Sequence, residues 1–262
     1  METKEPLNID EVHAGTLKIV EKLSSICDML HIDYFVAYGS LIGAIRHKGF
    51  IPWDDDFDVI MLRPDYDKFV NYCYKHEKEL YPFKILNREV SKKYPYTISR
   101  FEDNIVDYDS GMFVDVYPYD GAGTDEIAAR KKIGWKKDIL AKCVGWAIRN
   151  EYTRPENQST IVAVLKYIGF KVVHLIGKDF FLNQYEKLSN TYSFEDSTLV
   201  GCLCWGGGLY VLDKKLFEKS ITVPFENIMV KIPAQYDEIL KRSYGDYMKL
   251  PPKEERVATH EY

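Results

Sequence analysis

The chain has no excess of positive charge, no run of apolar residues long enough to cross a bilayer, and no cysteine pattern. Among 262 residues, 35 Lys and Arg face 40 Asp and Glu, a net charge of -5 with a pI near 5.8, which argues against general nucleic-acid binding. Five cysteines (Cys27, Cys73, Cys143, Cys202, Cys204) are odd in number and follow neither a disulfide framework nor a zinc-ligand spacing. The opening METKEPLNIDEV carries no charged-then-apolar signal, and no stretch reaches the ~18 apolar residues of a membrane span. A reduced, cytoplasmic protein is expected. Internal repeats and low-complexity linkers are also absent.

What is present is a 46% hydrophobic composition, enough for a large core, and an uneven charge distribution. Residues 130–187 hold twelve Lys and Arg against five Asp and Glu, a net of +7, so the remainder carries -12. Asn8 and Glu11 form a capping-box pattern before an apolar stripe (Ile9, Val12, Ile19, Leu23, Ile26, Leu30), which predicts a first helix. YFVAY (34–38) reads as a strand and GSLIGAIRHKG (39–49) as a turn and short helix closed by Gly49. A helix follows Pro64, then strands at FKILN, TISRF and MFVDVY. Residues 124–190 are helical in pattern, and short strands return from 199 before a last helix at AQYDEILKRSYG. This order predicts an α/β (α+β) fold: a mixed sheet flanked by helices, with a core over 1–123, a basic helical insertion over 124–190, and a C-terminal part, 191–262, completing the core.

The chemistry concentrates in IPWDDDFDVI (51–60), where four aspartates fall within five residues at the start of a buried-looking strand. A solvated turn would explain DDD alone. In an extended chain, however, Asp54, Asp56 and Asp58 would share one face opposite Phe57 and Val59, and crowded carboxylates in a partly dry site need a cation. Three elements align in order: Gly39-Ser40 after a strand, Asp56 and Asp58 on a second, and Asp115 on a third. Together they form a nucleotidyltransferase pattern, in which hard oxygen ligands suit Mg²⁺ and a pair of ions would clamp an in-line displacement. Gly39 would admit a phosphate to the backbone, and Ser40 would add donors at a helix N-terminus.

The stretch YGSLIGAIRHKGFIPWDDDFDVIM, with FVDVYPYD, YGDYMKLPP and the following His260, resembles the LicD family of phosphotransferases, and the likeness covers most of the chain. The resemblance implies a nucleotidyltransferase-like fold and transfer of a phospho-alcohol, most often phosphocholine, from a CDP-activated donor to a sugar hydroxyl of a cell-surface glycan or its lipid-linked precursor. Fukutin-type proteins, which resemble the family, use CDP-ribitol. Asp56, Asp58 and Asp115 are then the expected catalytic and metal-binding residues for Mg²⁺ or Mn²⁺, in two sites. Gly39, Ser40, Arg46, Arg100 and His260 are the expected donor phosphate or nucleotide contacts, Arg46 through its planar fork. Trp53, Tyr117, Tyr119 and Trp205 are candidates for an aromatic cage around choline. The WGGG at 205–208 lacks the lysine and spacing of a P-loop and reads as a permissive turn.

Two other functions remain open from the residues: a nucleotidyltransferase moving NMP from an NTP to a small hydroxylated acceptor, and a non-catalytic nucleotide-binding protein. The apolar segment 160–178, interrupted by Lys166, Lys171 and His174, reads either as a buried helix or as an interfacial surface giving the basic region 130–187 a peripheral membrane contact.

Overall fold

The computed structural model describes residues 8–88, 90–91, 94–103, 112–154 and 159–256. Helix α1 (Ile9–Leu30) begins as its sequence dictates: the Asn8 side chain accepts from the Glu11 amide at 3.0 Å, and Glu11 returns the contact to the Asn8 amide at 3.0 Å. Its stripe buries Val12, Ile19, Leu23 and Ile26, and His31 ends it in the left-handed conformation.

The chain divides into two compact units. The first comprises 1–94, 98–119 and 212–262; the second comprises 95–97 and 120–211. Residues 191–211, expected with the core, therefore cluster with the helical region.

The first unit is built on a mixed sheet of β1 (Phe35–Val36), β2 (Asp58–Leu62), β3 (Phe83–Leu86), β4 (Ser99–Asp103) and β5 (Phe113–Gly121), in the order β1-β2-β5-β4-β3. Only β2 and β5 run parallel within this order; the other neighbours are antiparallel. Period-2 alternation sorts the side chains. Phe57, Val59 and Met61 join Phe101, Val114 and Val116 in one apolar core with α1 and α3 (Arg63–Lys75). Asp58, Asp115 and Arg100 fall on the opposite face. Helix α2 (Tyr38–Ile42) continues into a π-helical turn, Gly43–His47, and α4 (Glu77–Leu80) precedes β3.

The second unit carries α5 (Glu126–Ala129), α6 (Trp135–Ile148), α7 (Thr160–Ile176) and α8 (Lys178–Glu186), with β6 (Leu199–Gly201) pairing Asp120 and Gly121. Leu182, Tyr185, Leu203 and Val211 are part of its separate core. The WGGG segment is a turn, with Gly206 and Gly208 in the left-handed region (φ 67° and 71°). Lys137 Nζ donates to the Trp205 and Gly206 carbonyls, and Gly208 N donates to Asp138 Oδ1 at 2.6 Å, so the loop is held by its own unit. Back in the first unit, β7 (Leu212–Asp213) is followed by the hairpin of β8 (Ser220–Phe225) and β9 (Ile228–Pro233), then α9 (Tyr236–Tyr244), stopped by Gly245 at φ 66°.

Four local expectations are corrected. The strand at 34–38 shrinks to Phe35–Val36 because the chain turns into α2 through Tyr38, which takes a positive φ of 47°. The helix closed by Gly49 has its left-handed residue at Lys48 (φ 60°); Gly49 is needed because a Cβ there would lie 1.8 Å from Glu226 Oε1. Residues 54–57 precede β2 instead of belonging to it, so strand alternation does not govern Asp54 and Asp56. Segment 160–178 is helical, but only Ala163, Phe170 and Val173 of α7 are buried, which rules out a wholly buried helix.

Candidate active site

The site grows from the ends of β1 and β2. Ala37 N donates to the Asp58 carbonyl at 2.9 Å, and the Asp58 amide donates to Ser40 Oγ at 2.9 Å. The hydroxyl of the GS motif thus joins the start of α2 to the start of β2. Across the parallel ladder, Asp115 N donates to the Phe57 carbonyl at 3.0 Å, which sets Asp58 in register with Asp115. Register partners share a face, so two carboxylates project from adjacent strands, and Arg100, the antiparallel partner of Asp115, projects with them.

The acidic loop leading into β2 adds three more. Asp54 N closes a turn onto the Ile51 carbonyl at 2.8 Å, and His13 of α1, stacked on Phe50 at 3.9 Å, bonds the Asp54 carbonyl through Nε2 at 2.7 Å. Oxygens of Asp54, Asp55 and Asp56 lie within 4.8 Å of one another. The expected trio of Asp56, Asp58 and Asp115 is therefore joined by two loop carboxylates.

Electrostatics give this crowding a sign. Burial, then the charges of Asp56, Asp115 and Asp54, pushes the Asp58 carboxyl well above the usual carboxylate range, against a hydrogen bond from Tyr117. Asp54 is pushed up to about 7 by burial and by Asp56 and Asp55. Asp58 Oδ1 is buried and has no hydrogen-bond partner among the described residues, a state that costs about 1–3 kcal/mol for a neutral group and more for a charged one. An orphaned carboxylate oxygen among all-oxygen neighbours fits a hard divalent cation, and Mg²⁺ or Mn²⁺ suits that donor set. Such an ion would reverse the penalty.

Arg100 lies against Asp115, with Nε donating to Oδ1 at 2.7 Å and Nη2 to Oδ2 at 3.5 Å, while its guanidinium covers the Phe113 ring at 3.6 Å. Arg46 donates from Nη1 to the carbonyls of Tyr247 (2.8 Å) and Lys249 (3.3 Å) and from Nε to His47, so it ties the YGDYMKLPP segment to the turn after α2. Burial and the nearby Arg256 lower its pKa. Gly39 leaves room for a carboxylate: a Cβ there would lie 2.7 Å from Asp54 Oδ2.

Of the cage candidates, Tyr117 and Tyr119 come together with Tyr38, whose ring meets Tyr117 edge-on at 5.0 Å and whose hydroxyl is 3.3 Å from that of Tyr119. The Trp53 ring already holds a cation, the Arg256 guanidinium at 5.5 Å. Trp205 belongs to the second unit, against Tyr96 at 5.6 Å. His260 lies outside the described residues.

Sequence reasoning missed Asp55, His13, Tyr38, Glu226 and Arg256. Asp55 and Tyr38 adjoin motif residues and were legible by proximity. Nothing local marks His13 or Glu226. The latter accepts the Phe50 amide at 3.1 Å and donates its own amide to the Lys48 carbonyl at 2.7 Å, clamping the RHKGF turn from the far end of the chain.

The comparisons with known proteins agree with this geometry. Residues 31–155 match the nucleotidyltransferase domain described as LicD/FKTN/FKRP. The chain is 29% identical over 263 aligned positions, covering 97% of itself and 96% of its counterpart, to the lipopolysaccharide cholinephosphotransferase LicD of Haemophilus influenzae. Shorter likenesses occur to uncharacterized proteins of Rickettsia typhi (37% over 57 residues, 18% of each chain) and Rickettsia prowazekii (46% over 35 residues, 13% of each). Both the matched span and the near full-length likeness contain the carboxylate-bearing strands, so the part of the chain that holds the site is similar to the nucleotidyltransferase domain of that family.

Proposed function

We propose that the protein is a phosphotransferase that moves a phospho-alcohol, phosphocholine first among them, from a CDP-activated donor to a hydroxyl of a cell-surface glycan or its lipid-linked precursor. The observation that carries this reading is the register of Asp58 with Asp115, two buried carboxylates on one face with an unpartnered oxygen between strand and acidic loop. The near full-length likeness to a cholinephosphotransferase supports the choice of alcohol.

In this reading Asp56, Asp58 and Asp115 hold Mg²⁺ or Mn²⁺, in two sites, which when bound supplies charge neutralisation on the transferring phosphate. The acceptor hydroxyl oxygen forms a bond to the phosphorus of the phosphocholine group. The bond from that phosphorus to the CMP oxygen breaks, and CMP leaves with the electron pair. Asp54, whose pKa is pushed up to about 7 by burial and by Asp56 and Asp55, takes the hydroxyl proton in its ionised form. Asp115, pinned by Arg100, orients and does not accept it. Ser40 positions the amide of Asp58, and Gly39 keeps the space that Asp54 needs. Arg46 holds the 247–249 segment on the donor side. The rings of Tyr117 and Tyr119, which follow Asp115 on β5, and of Tyr38, which meets both, suit a quaternary ammonium, which cannot hydrogen-bond but is drawn to ring faces.

The test is product analysis by mass spectrometry with CDP-choline, CDP-ribitol, CDP-glycerol and NTPs, each with Mg²⁺ and with a chelator. Expected are CMP and a phosphocholine-bearing glycan, formed only with metal. Pyrophosphate from an NTP would establish NMP transfer, the reading the domain's own description keeps in view. Turnover of CDP-choline in chelator would overturn the metal assignment.

A further inference from the structure

Helix α7 is apolar on two opposite faces. Ala163 and Phe170 face its own unit, where a Cβ at Gly169 would come within 3.0 Å of the Trp146 ring and Tyr152 meets Phe170 at 5.9 Å. On the far side Ile161, Val164, Leu165, Ile168, Val172 and Leu175 are all solvent-exposed, Ile161 at 76% and Leu175 at 87%. At ~100° per residue these six fall within about 100° of arc, nearly opposite Ala163 and Phe170. Water-facing stripes of this size and continuity mark a binding surface.

On the inner side of α7, toward α6 and away from the stripe, Lys166 and Phe170 help line a pocket of ≈ 380 Å³. Among the described residues its lining includes the cations Lys142, Arg149 and Lys166, the rings of Trp146 and Tyr152, and the acid Glu151. Lys142 and Trp146 share a face of α6, four residues apart, and Arg149 follows directly after its last turn. Lys171 borders the stripe itself, its Nζ over the Tyr167 ring at 5.4 Å.

We infer that α7 lies flat in the surface of an anionic bilayer, with its apolar stripe among the acyl chains and the cations beside it at the headgroups. Charge complementarity selects this occupant. The +7 of residues 130–187 attracts anionic headgroups and repels a second copy of the same face. Length and shape select the orientation. Seventeen residues span about 26 Å at ~1.5 Å each, short of the ~30 Å hydrocarbon layer, and the chain bends by 85° into α8. No single helix among the described residues is long and apolar enough to cross. A helix packed on its own unit along one face and apolar along the other is suited to rest in an interface, with lysines reaching to the headgroups. This docking goes beyond the transfer reaction and does not depend on it.

Vesicle flotation of the full chain, without substrate, tests the inference. Expected is binding to phosphatidylglycerol-rich vesicles at low salt, weakened as salt rises, and little binding to phosphatidylcholine alone. Leu165→Glu/Ile168→Glu should abolish flotation, and Lys171→Glu, at the border of the stripe, should weaken it severalfold, both with unchanged circular dichroism. Equal binding to both vesicle types, or none to either, would overturn the inference. A concentration-dependent dimer in sedimentation equilibrium, lost in the stripe variant, would assign the stripe to a second copy instead. The transfer reading is read separately by CMP release with a water-soluble acceptor, which neither variant should alter.

Discussion

Asp58 and Asp115 stand in register on adjacent parallel strands, and the amide of Asp115 bonds the carbonyl of the residue before Asp58 at 3.0 Å. The sheet itself therefore sets the separation of the two carboxylates. Because the backbone carries the geometry, Asp58→Asn or Asp115→Asn should leave the fold intact and lower turnover by about a hundredfold or more, the scale seen when preorganised charge is removed. Asp56→Ala should do the same. Near wild-type rates in saturating Mg²⁺ for any of the three would remove that residue from the metal site.

The same crowding predicts a pH dependence of stability in the metal-free protein. Asp54 and Asp58 have folded pKa values above their unfolded ones, Asp54 at about 7, so the folded state binds more protons through the interval from about 4 to 7. Their contribution is fully present below the unfolded value and is lost as pH rises through the folded one. Thermal melts in chelator should therefore show a Tm that falls as pH increases across that window, with a slope of up to about 1.4 kcal/mol per pH unit for each titrating group. Saturating Mg²⁺ should flatten or reverse the trend, and Asp58→Asn should raise the metal-free Tm. A chelator-treated protein whose Tm climbs from pH 5 to about 7 would contradict the shift.

Arg100 predicts a specific failure. Its two-point contact with Asp115 and its stacking on Phe113 both need a planar guanidinium. Arg100→Lys keeps the charge and loses the fork, so activity should drop by about ten- to a hundredfold. The apparent Mg²⁺ requirement should shift with it, because Asp115 is no longer oriented. An unchanged Mg²⁺ titration would assign Arg100 to packing alone.

Gly39→Ala places a methyl group 2.7 Å from the Asp54 carboxylate. The carboxylate must move, and the expected result is a higher Mg²⁺ concentration for half-maximal activity with little change in Tm. Gly43→Ala differs, since its Cβ would meet the Gly49 carbonyl at 2.5 Å, backbone that cannot yield cheaply. That variant should lose stability by about 1–3 kcal/mol, read as a lower melting temperature.

Arg46→Lys should loosen the 247–249 segment, whose carbonyls it holds. Limited proteolysis there should speed up, and donor KM should rise by an amount equivalent to about 2 kcal/mol. Unchanged donor kinetics would confine Arg46 to a structural role.

Much of this protein was readable from its residues. Local rules determined α1, because a capping box and a 3.6-residue stripe act within a few positions, and the same holds for the WGGG turn and the helices of 124–190. The motif order placed Asp58 and Asp115 on neighbouring strands of one sheet, since buried strands carrying isolated acids are informative wherever they occur. Tertiary structure decided the rest. Asp54, Asp55 and Asp56 leave the strand alternation because a turn onto Ile51 and the His13 contact, 41 residues away, shape that loop. Gly49 is required by Glu226, a residue 177 positions later whose side chain fills the space. Arg46 and Arg100, both expected at phosphate, were assigned partners by chain crossings that no local pattern encodes. The apolar run at 160–178 could be a core helix or a surface by composition alone, because hydrophobicity along the chain does not say which face another element will cover. The packing of α6 against one side of α7 settled that, leaving the opposite stripe in water.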